Sequence, residues 1–201
     1  MSDTAGVVNP MGLRERKKAR TRAVIRQEAM RLFRERGYSA TTVEQIAAAA
    51  DVSPATFFRY YPTKEDVVLQ DDMDMLLPEA VEAQPPELSP IAAVRAAVAE
   101  TMNRLGPDEL DRLQETIRLT NSVPELRARS VDEFIRTIDL MAIPLARRAG
   151  RSPEDIEVKH VAGAMIGVLL AVTMGPPDDD PADLLTRVDA ALAHLEAGLP
   201  L

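Results

Sequence analysis

The chain has no cysteine and no tryptophan, only two histidines, and aromatic residues make up just 3% of it. Without cysteine there is no disulfide, no thiolate metal site and no cysteine nucleophile. Two histidines do not make a histidine-rich metal centre. No stretch of about eighteen uninterrupted apolar residues occurs, which argues against a membrane-spanning helix. Met1 to Pro10 is small and polar and lacks the basic-then-apolar order of a secretory signal. These absences point to a cytoplasmic protein. What is present is 46% apolar residue, led by Ala, Leu, Val and Met and joined by Arg, a composition that favours helices over strands. An all-α fold is expected, in one large domain or a small one followed by a larger one.

The net charge of −8 conceals a split. Residues 1–70 hold twelve Lys/Arg against eight Asp/Glu, and residues 71–201 hold twelve against twenty-four. Between Met11 and Arg36 ten basic residues face three acidic ones. A basic front on an acidic body suits a polyanion-binding end attached to a part that stays away from the polyanion.

The first helix is expected from about Leu13 to Arg36, with Ile25, Ala29, Leu32 and Phe33 on one face. Arg14, Arg16, Lys17, Lys18, Arg20 and Arg22 crowd its start. Cations there oppose the helix dipole, so stability does not account for them. Phosphate contact does, with a solvated charged face as the bland alternative. Gly37 is expected as a left-handed cap. Thr42 with Gln45 fits a capping box for a short helix carrying Val43, Ile46, Ala47 and Ala50 on one side. Asp51 is placed as the turn residue, since Asp tolerates a left-handed conformation. Ser53 then caps a second short helix opened by Pro54. Two short helices across a tight turn make a helix-turn-helix. Phe57 and Tyr61 are expected to point inward, while Pro54, Ala55, Phe58 and Arg59 project outward. A short helix with a wet aromatic face suits a DNA major groove, where small residues allow close approach and Arg pairs with guanine.

Beyond it, a helix is expected from Lys64 to Leu77, then a loop from Pro78 to Pro90 holding four prolines. Helices follow over about 91–105, 108–122 and 124–149, with Pro144 predicting a kink or break in the last. Another, capped by Ser152, runs to about Met174, and a final one covers about 182–197, giving about nine in all. Met141 and Met165, with Ile117, Phe134 and Leu169, are candidates to line an elongated apolar site, core packing being the alternative. Arg118 and Arg136 stand at or beside those inner faces, either for an anionic head group or in surface ion pairs. The helix ending at Met174 is apolar almost all round, which implies burial on more than one side. Val161, Ala164 and Val168 on it, with Leu184, Val188, Ala191 and Leu195 on the last helix, are the expected dimer interface, a four-helix bundle across a two-fold axis.

His160 and His194 stand on different helices with no carboxylate four residues away on either side, so no metal site is expected. Asp178-Asp179-Asp180 lacks the glycine turn and closing Glu of a calcium loop, and Asp71, Asp72 and Asp74 read as a wet helix face. No triad, paired-carboxylate or glycine-rich phosphate motif stands out, so no catalytic residue and no cofactor are expected.

The run from Thr42 to Asp66, with its Ile46-Ala47 pair, Val52-Ser53 before the second helix, the Phe57-Phe58-Arg59-Tyr60-Tyr61 cluster and Lys64-Glu65, resembles the signature of the tetracycline-repressor (TetR) family. The resemblance covers about residues 13–70. It implies a flexible arm over 1–12, a three-helix DNA-binding domain over 13–70 with the helix-turn-helix at about 42–61, and a ligand-binding and dimerisation domain over 71–201. It implies further a homodimer on a palindromic double-stranded operator, released by a small-molecule effector. Thr42 and Lys64 would touch phosphates, and Ala55, Thr56, Arg59 and Tyr60 would lie at or near base edges. Three positions depart from the family pattern: Asp51 and Ala55 replace common glycines, and Phe58 replaces a tyrosine whose hydroxyl binds phosphate. The stretch from Ser53 to Asp66 and Pro124 to Arg129 are similar to a subgroup taking acyl-coenzyme A-like effectors. A constitutive or activating regulator with a filled cavity, and a helical-bundle enzyme, are the alternatives.

Overall fold

A computed structural model describes residues 12–70, 73–174 and 181–201. The arm before Gly12, Asp71, Asp72 and the Asp178–Asp180 run lie outside the described residues. Ten helices and no strand are found among the described residues: α1 (Leu13–Arg36), α2 (Val43–Ala49), α3 (Pro54–Tyr60), α4 (Asp66–Leu69), α5 (Met73–Glu82), α6 (Pro90–Arg104), α7 (Pro107–Ser122), α8 (Pro124–Ala149), α9 (Ile156–Thr173) and α10 (Pro181–Glu196). They form two compact units that part between Val68 and Leu69.

The tenth helix arises because the expected Lys64–Leu77 helix is two helices, α4 and α5. The second of them continues past Pro78, where a loop was expected, to Glu82. A proline there gives up one backbone hydrogen bond, at a cost of about 3 kcal/mol. Val81, fully buried where α5 packs on α6 and α8, offsets it. The remaining loop is held by one side chain. Arg148 of α8 donates to the carbonyls of Val81, Gln84, Pro85 and Leu88, of which Val81 and Pro85 also accept from the backbone N–H groups of Gln84 and Leu88.

The second unit buries one apolar cluster, built from Val81, Ala93, Val94 and Ala97, the α8 residues Met141, Ala142 and Leu145, and Val158, Ala162, Met165 and Ile166 of α9. Helix α8 continues through Pro144, which is itself buried, without a break; a break was one of the two outcomes expected there, the other being a kink. The N-cap of α9 is Asp155, whose side chain accepts from Glu157 N at 2.9 Å, rather than Ser152. Ser152-Pro153-Glu154 forms a turn instead, closed by Asp155 N donating to the Ser152 carbonyl at 3.0 Å.

Val188 needs correction as an interface residue. It is only 8% exposed and packs, with Leu192, in the protomer's own core; Leu184 and Leu195 lie against the same cluster. Helix α10 spends its strongest apolar stripe on α6 and α9. Unspent apolar surface remains on α8, where Val131 and Ile135 are 54% and 58% exposed, and on α9. Val158, Ala162, Met165 and Ile166 turn inward, while Val161 (37% exposed), Ala164, Gly167 and Ala171 form an outer ladder one turn apart. By length and composition α9 is apolar enough to cross a membrane, although its inner strip is packed on α8 and α10.

The N-terminus of α6 is clamped to the C-terminus of α10. Arg95 donates from Nε to Asp189 Oδ1 at 2.9 Å, from a second nitrogen to Asp189 Oδ2 at 3.1 Å and from a third to Glu196 Oε2 at 2.9 Å. Ser89 Oγ donates to Glu196 Oε1 at 2.8 Å. The bond from Arg95 holds the Asp189 carboxyl below its ordinary range, and those from Ser89 and Arg95 do the same for Glu196. Carboxyls lowered in the folded state contribute stability above their unfolded values, about 3.9 for Asp and 4.3 for Glu, and lose it as the pH falls through the folded ones. The melting temperature of the chain is therefore expected to drop more steeply below about pH 4 than that of Arg95→Gln. Parallel curves from circular dichroism would remove the clamp as the cause.

Candidate nucleic-acid interface

Within the first unit the expected helix-turn-helix is present in detail. Gln45 N donates to Thr42 Oγ1 at 3.3 Å and Thr42 N to Gln45 Oε1 at 3.0 Å, closing the capping box of α2. Ile46 and Ala47 of this helix are fully buried. Asp51 takes the left-handed conformation (φ 54°) and lets Val52 N return to the Ala47 carbonyl at 2.9 Å. Thr56 N donates to Ser53 Oγ at 3.1 Å, capping α3. The Ser53 hydroxyl is also within 3.0 Å of Thr56 Oγ1, to which it donates. That bond leaves the Thr56 hydroxyl proton to face outward as a donor. Gly37 has positive φ (84°) but an extended ψ (155°), a glycine-only conformation rather than the left-handed cap expected.

The inward and outward faces of α3 divide as expected. Phe57 and Tyr61 are buried; Pro54, Ala55, Phe58 and Arg59 are exposed, and Tyr60 is half-buried. The Arg59 guanidinium lies over the Tyr60 ring, 5.4 Å from its centre. The flat face of that ring limits the rotamers of the arginine without consuming its fork of donors.

Arg14, Arg16, Lys17 and Lys18 are all exposed and all lie on α1 itself, since this helix begins at Leu13. They do not share a face. Arg14, Lys18 and Arg22 climb in steps of three and four to Ile25, Ala29 and Leu32, the buried stripe of the helix. The face that packs on the helix-turn-helix thus continues, toward the N-terminus, as a basic edge. Lys17 flanks that edge and Arg16 points away from it. Arg22 marks the transition: its guanidinium covers the Tyr61 ring at 4.9 Å, and Tyr61 Oη donates to the Arg22 carbonyl at 3.3 Å.

Lys64 has a second task that the resemblance does not imply. Its Nζ donates to the carbonyls of Tyr38 and Thr41 at 3.0 and 3.1 Å and stands 4.0 Å from the centre of the Tyr38 ring. Tyr38 Oη in turn donates to Glu65 Oε1 at 2.8 Å. Two of the three ammonium protons fix the α1–α2 turn immediately before Thr42, leaving one for a phosphate. Sequence reasoning missed Tyr38, whose only signal was an aromatic directly after the glycine.

In the second unit Met141 and Met165 are buried in the core, with Phe134 and Leu169 packed against it. Ile117 is half-buried on α7, none of whose residues is fully buried, and Arg118 is exposed. Arg136 pairs with Glu133 at 2.5 Å. Elsewhere an open cleft of about 400 Å³ is lined by Glu82, Gln84, Pro86, Pro144, Arg147 and Arg148. Its two arginines are already engaged, Arg147 with Glu82 and Arg148 with four carbonyls. Among the described residues no group of three or more His, Cys, Asp or Glu is arranged to hold a metal ion.

Residues 25–70 match the family described as bacterial regulatory proteins, tetR family, and residues 88–200 match the MftR C-terminal domain, a TetR C-terminal family. The chain is 34% identical over 177 residues to the HTH-type transcriptional regulator TcmR of Streptomyces glaucescens, covering 84% of this chain and 76% of that one. Among solved structures it resembles FadR of Thermus thermophilus, a TetR-family transcriptional repressor captured with lauroyl-CoA. That likeness has a TM-score of 0.57 and 30% identity, and covers 90% of this chain and 95% of FadR. The fold is also that of SmeT, the repressor of a Stenotrophomonas maltophilia multidrug efflux pump, at a TM-score of 0.56 and 21% identity over 88% of this chain and 89% of that one.

Proposed function

The chain belongs to the TetR family of DNA-binding transcriptional regulators, and from that premise we propose that it is a repressor released from a palindromic operator by a small apolar effector. The observation that carries the DNA-binding half is the capped α2–turn–α3 unit, with Arg59 presented on Tyr60 beside a basic edge on α1. In this reading residues 13–70 bind DNA and 71–201 bind effector and partner. Thr42, Lys64 and the α1 cations take phosphates; Ser53 and Pro54 open the reading helix; Ala55, Thr56, Phe58, Arg59 and Tyr60 meet base edges. The protein acts as a homodimer with recognition helices about 34–36 Å apart, or farther on a longer operator. Val161 and Ala164 of the outer α9 ladder, with the half-buried Val168 and, on α10, the half-buried Ala191, join the copies.

For the effector we propose an apolar-tailed anion of the acyl-thioester type, held among Ile117, Phe134, Met141, Met165 and Leu169. Support comes from the likeness to FadR, which binds lauroyl-CoA. Arg118 is the exposed cation for its head group; Arg136 is available once Glu133 releases it.

The test has two arms on one preparation. Selection from randomised duplexes is expected to enrich a palindrome, and Arg59→Ala to relax one position of it by about 1–3 kcal/mol. Titration of lauroyl-CoA is then expected to weaken operator binding, and operator to weaken lauroyl-CoA binding by the same factor. An operator complex indifferent to acyl thioesters but sensitive to hydrophilic anions would remove the acyl class. Indifference to every small molecule would favour a constitutive regulator.

A further inference from the structure

Beside the donors of Thr56 and Arg59, one strip of the outward surface of α3 carries no hydrogen-bonding side chain. Pro54, Ala55 and Phe58 are exposed together on it, with Ala55 and Phe58 one turn apart. Phe58 is 49% exposed, the largest apolar side chain presented by this helix. Its ring is braced from below: it stands edge-on to the buried Phe57, 5.5 Å between centres at 87°. A phenyl ring has no donor for a phosphate and no partner for the polar atoms of a base edge. In the major groove the one apolar group on a base edge is the C5-methyl of thymine.

We infer that Phe58 covers a thymine methyl in each operator half-site, so that a T·A pair is specified at the position it overlies. The inference rests on the reading of α3 as the recognition helix. It assigns Phe58 a share of the sequence preference, separate from that of Arg59, at the position where the family's phosphate-binding hydroxyl is missing. Ala55, one turn earlier, admits the ring to that depth because its own side chain is a single methyl.

The test replaces each thymine of the selected operator in turn by deoxyuridine, which removes only the methyl group. For the unaltered protein one position per half-site is expected to lose about fourfold in affinity, and about fifteenfold when both half-sites are changed. Phe58→Ala is expected to bind the thymine operator more weakly and to be indifferent to deoxyuridine at that position. Arg59→Ala, weakened for another reason, keeps the deoxyuridine penalty. Phe58 is half-exposed and touches Phe57 only by its edge, so Phe58→Ala is expected to unfold cooperatively within a few degrees of the parent, which excludes misfolding. If no deoxyuridine position matters, or if Phe58→Ala retains the same penalty, the inference is overturned while the repressor reading stands. If selection enriches no palindrome, both fall.

Discussion

Glutamate at both Val161 and Ala164 is expected to turn the dimer into a monomer and to abolish operator binding at concentrations where the parent saturates. Ala164 is exposed and Val161 is 37% exposed on the outer ladder of α9, so the isolated protomer loses little packing. In a two-fold assembly the substitutions bring four carboxylates into one apolar seam. A monomer keeps its half-site contacts but loses the second, tethered binding event, which is worth about 10²–10⁴ in affinity. Sedimentation velocity reads the first effect and titration of a palindrome against a single half-site reads the second. Val188→Glu is the contrasting variant. It places a carboxylate in the protomer's own core and is expected to lower the melting temperature sharply, whatever the dimer does. If the exposed pair leaves a dimer of unchanged affinity, the copies meet through another surface.

The difference between Val161 and Val188 shows where the sequence was legible. Both belong to apolar stripes at helical spacing, and periodicity alone reports that a stripe is buried, not by what. Helix α10 uses its stripe on α6 and α9 of the same chain; α9 has apolar surface left over because it carries it on every side. The helix-turn-helix, by contrast, was readable almost atom by atom. Its determinants are local: Thr42 and Gln45 cap one helix, Ser53 and Thr56 the next, and Asp51 supplies the turn, all within three residues of their partners. The misplaced boundaries have the same origin as the misplaced stripe. Pro78 argues locally for a loop, and the burial of Val81 overrules it from a distance. The attachment of Lys64 to Tyr38 and Thr41, more than twenty residues away, left no trace in local spacing.

Neutralising Arg14, Lys17 and Lys18 together is expected to weaken binding to every DNA sequence while leaving the protein as stable as before. These residues sit on the first turns of α1, beyond its buried stripe, at a helix end whose N-cap Gly12 supplies no side-chain bond. Cations oppose the dipole there, so glutamine in their place leaves the melting temperature unchanged or slightly higher. Bound to phosphate, each cation displaces about 0.9 of a counterion. Three per protomer in a dimer should then flatten the slope of log affinity against log salt by about 5. At about 0.15 M salt the loss is expected on the order of ten-thousandfold, shrinking toward nothing near 1 M. The ratio of operator to random duplex affinity should stay nearly constant, which separates these residues from Arg59. Arg16→Gln provides the geometric control. It removes the same charge from the opposite face of the same turns and is expected to change the slope by well under 1. Equal slopes for Arg14→Gln and Arg16→Gln would mean that the basic end acts through its overall field, and that the edge continuing from Ile25 does not lie along the phosphates.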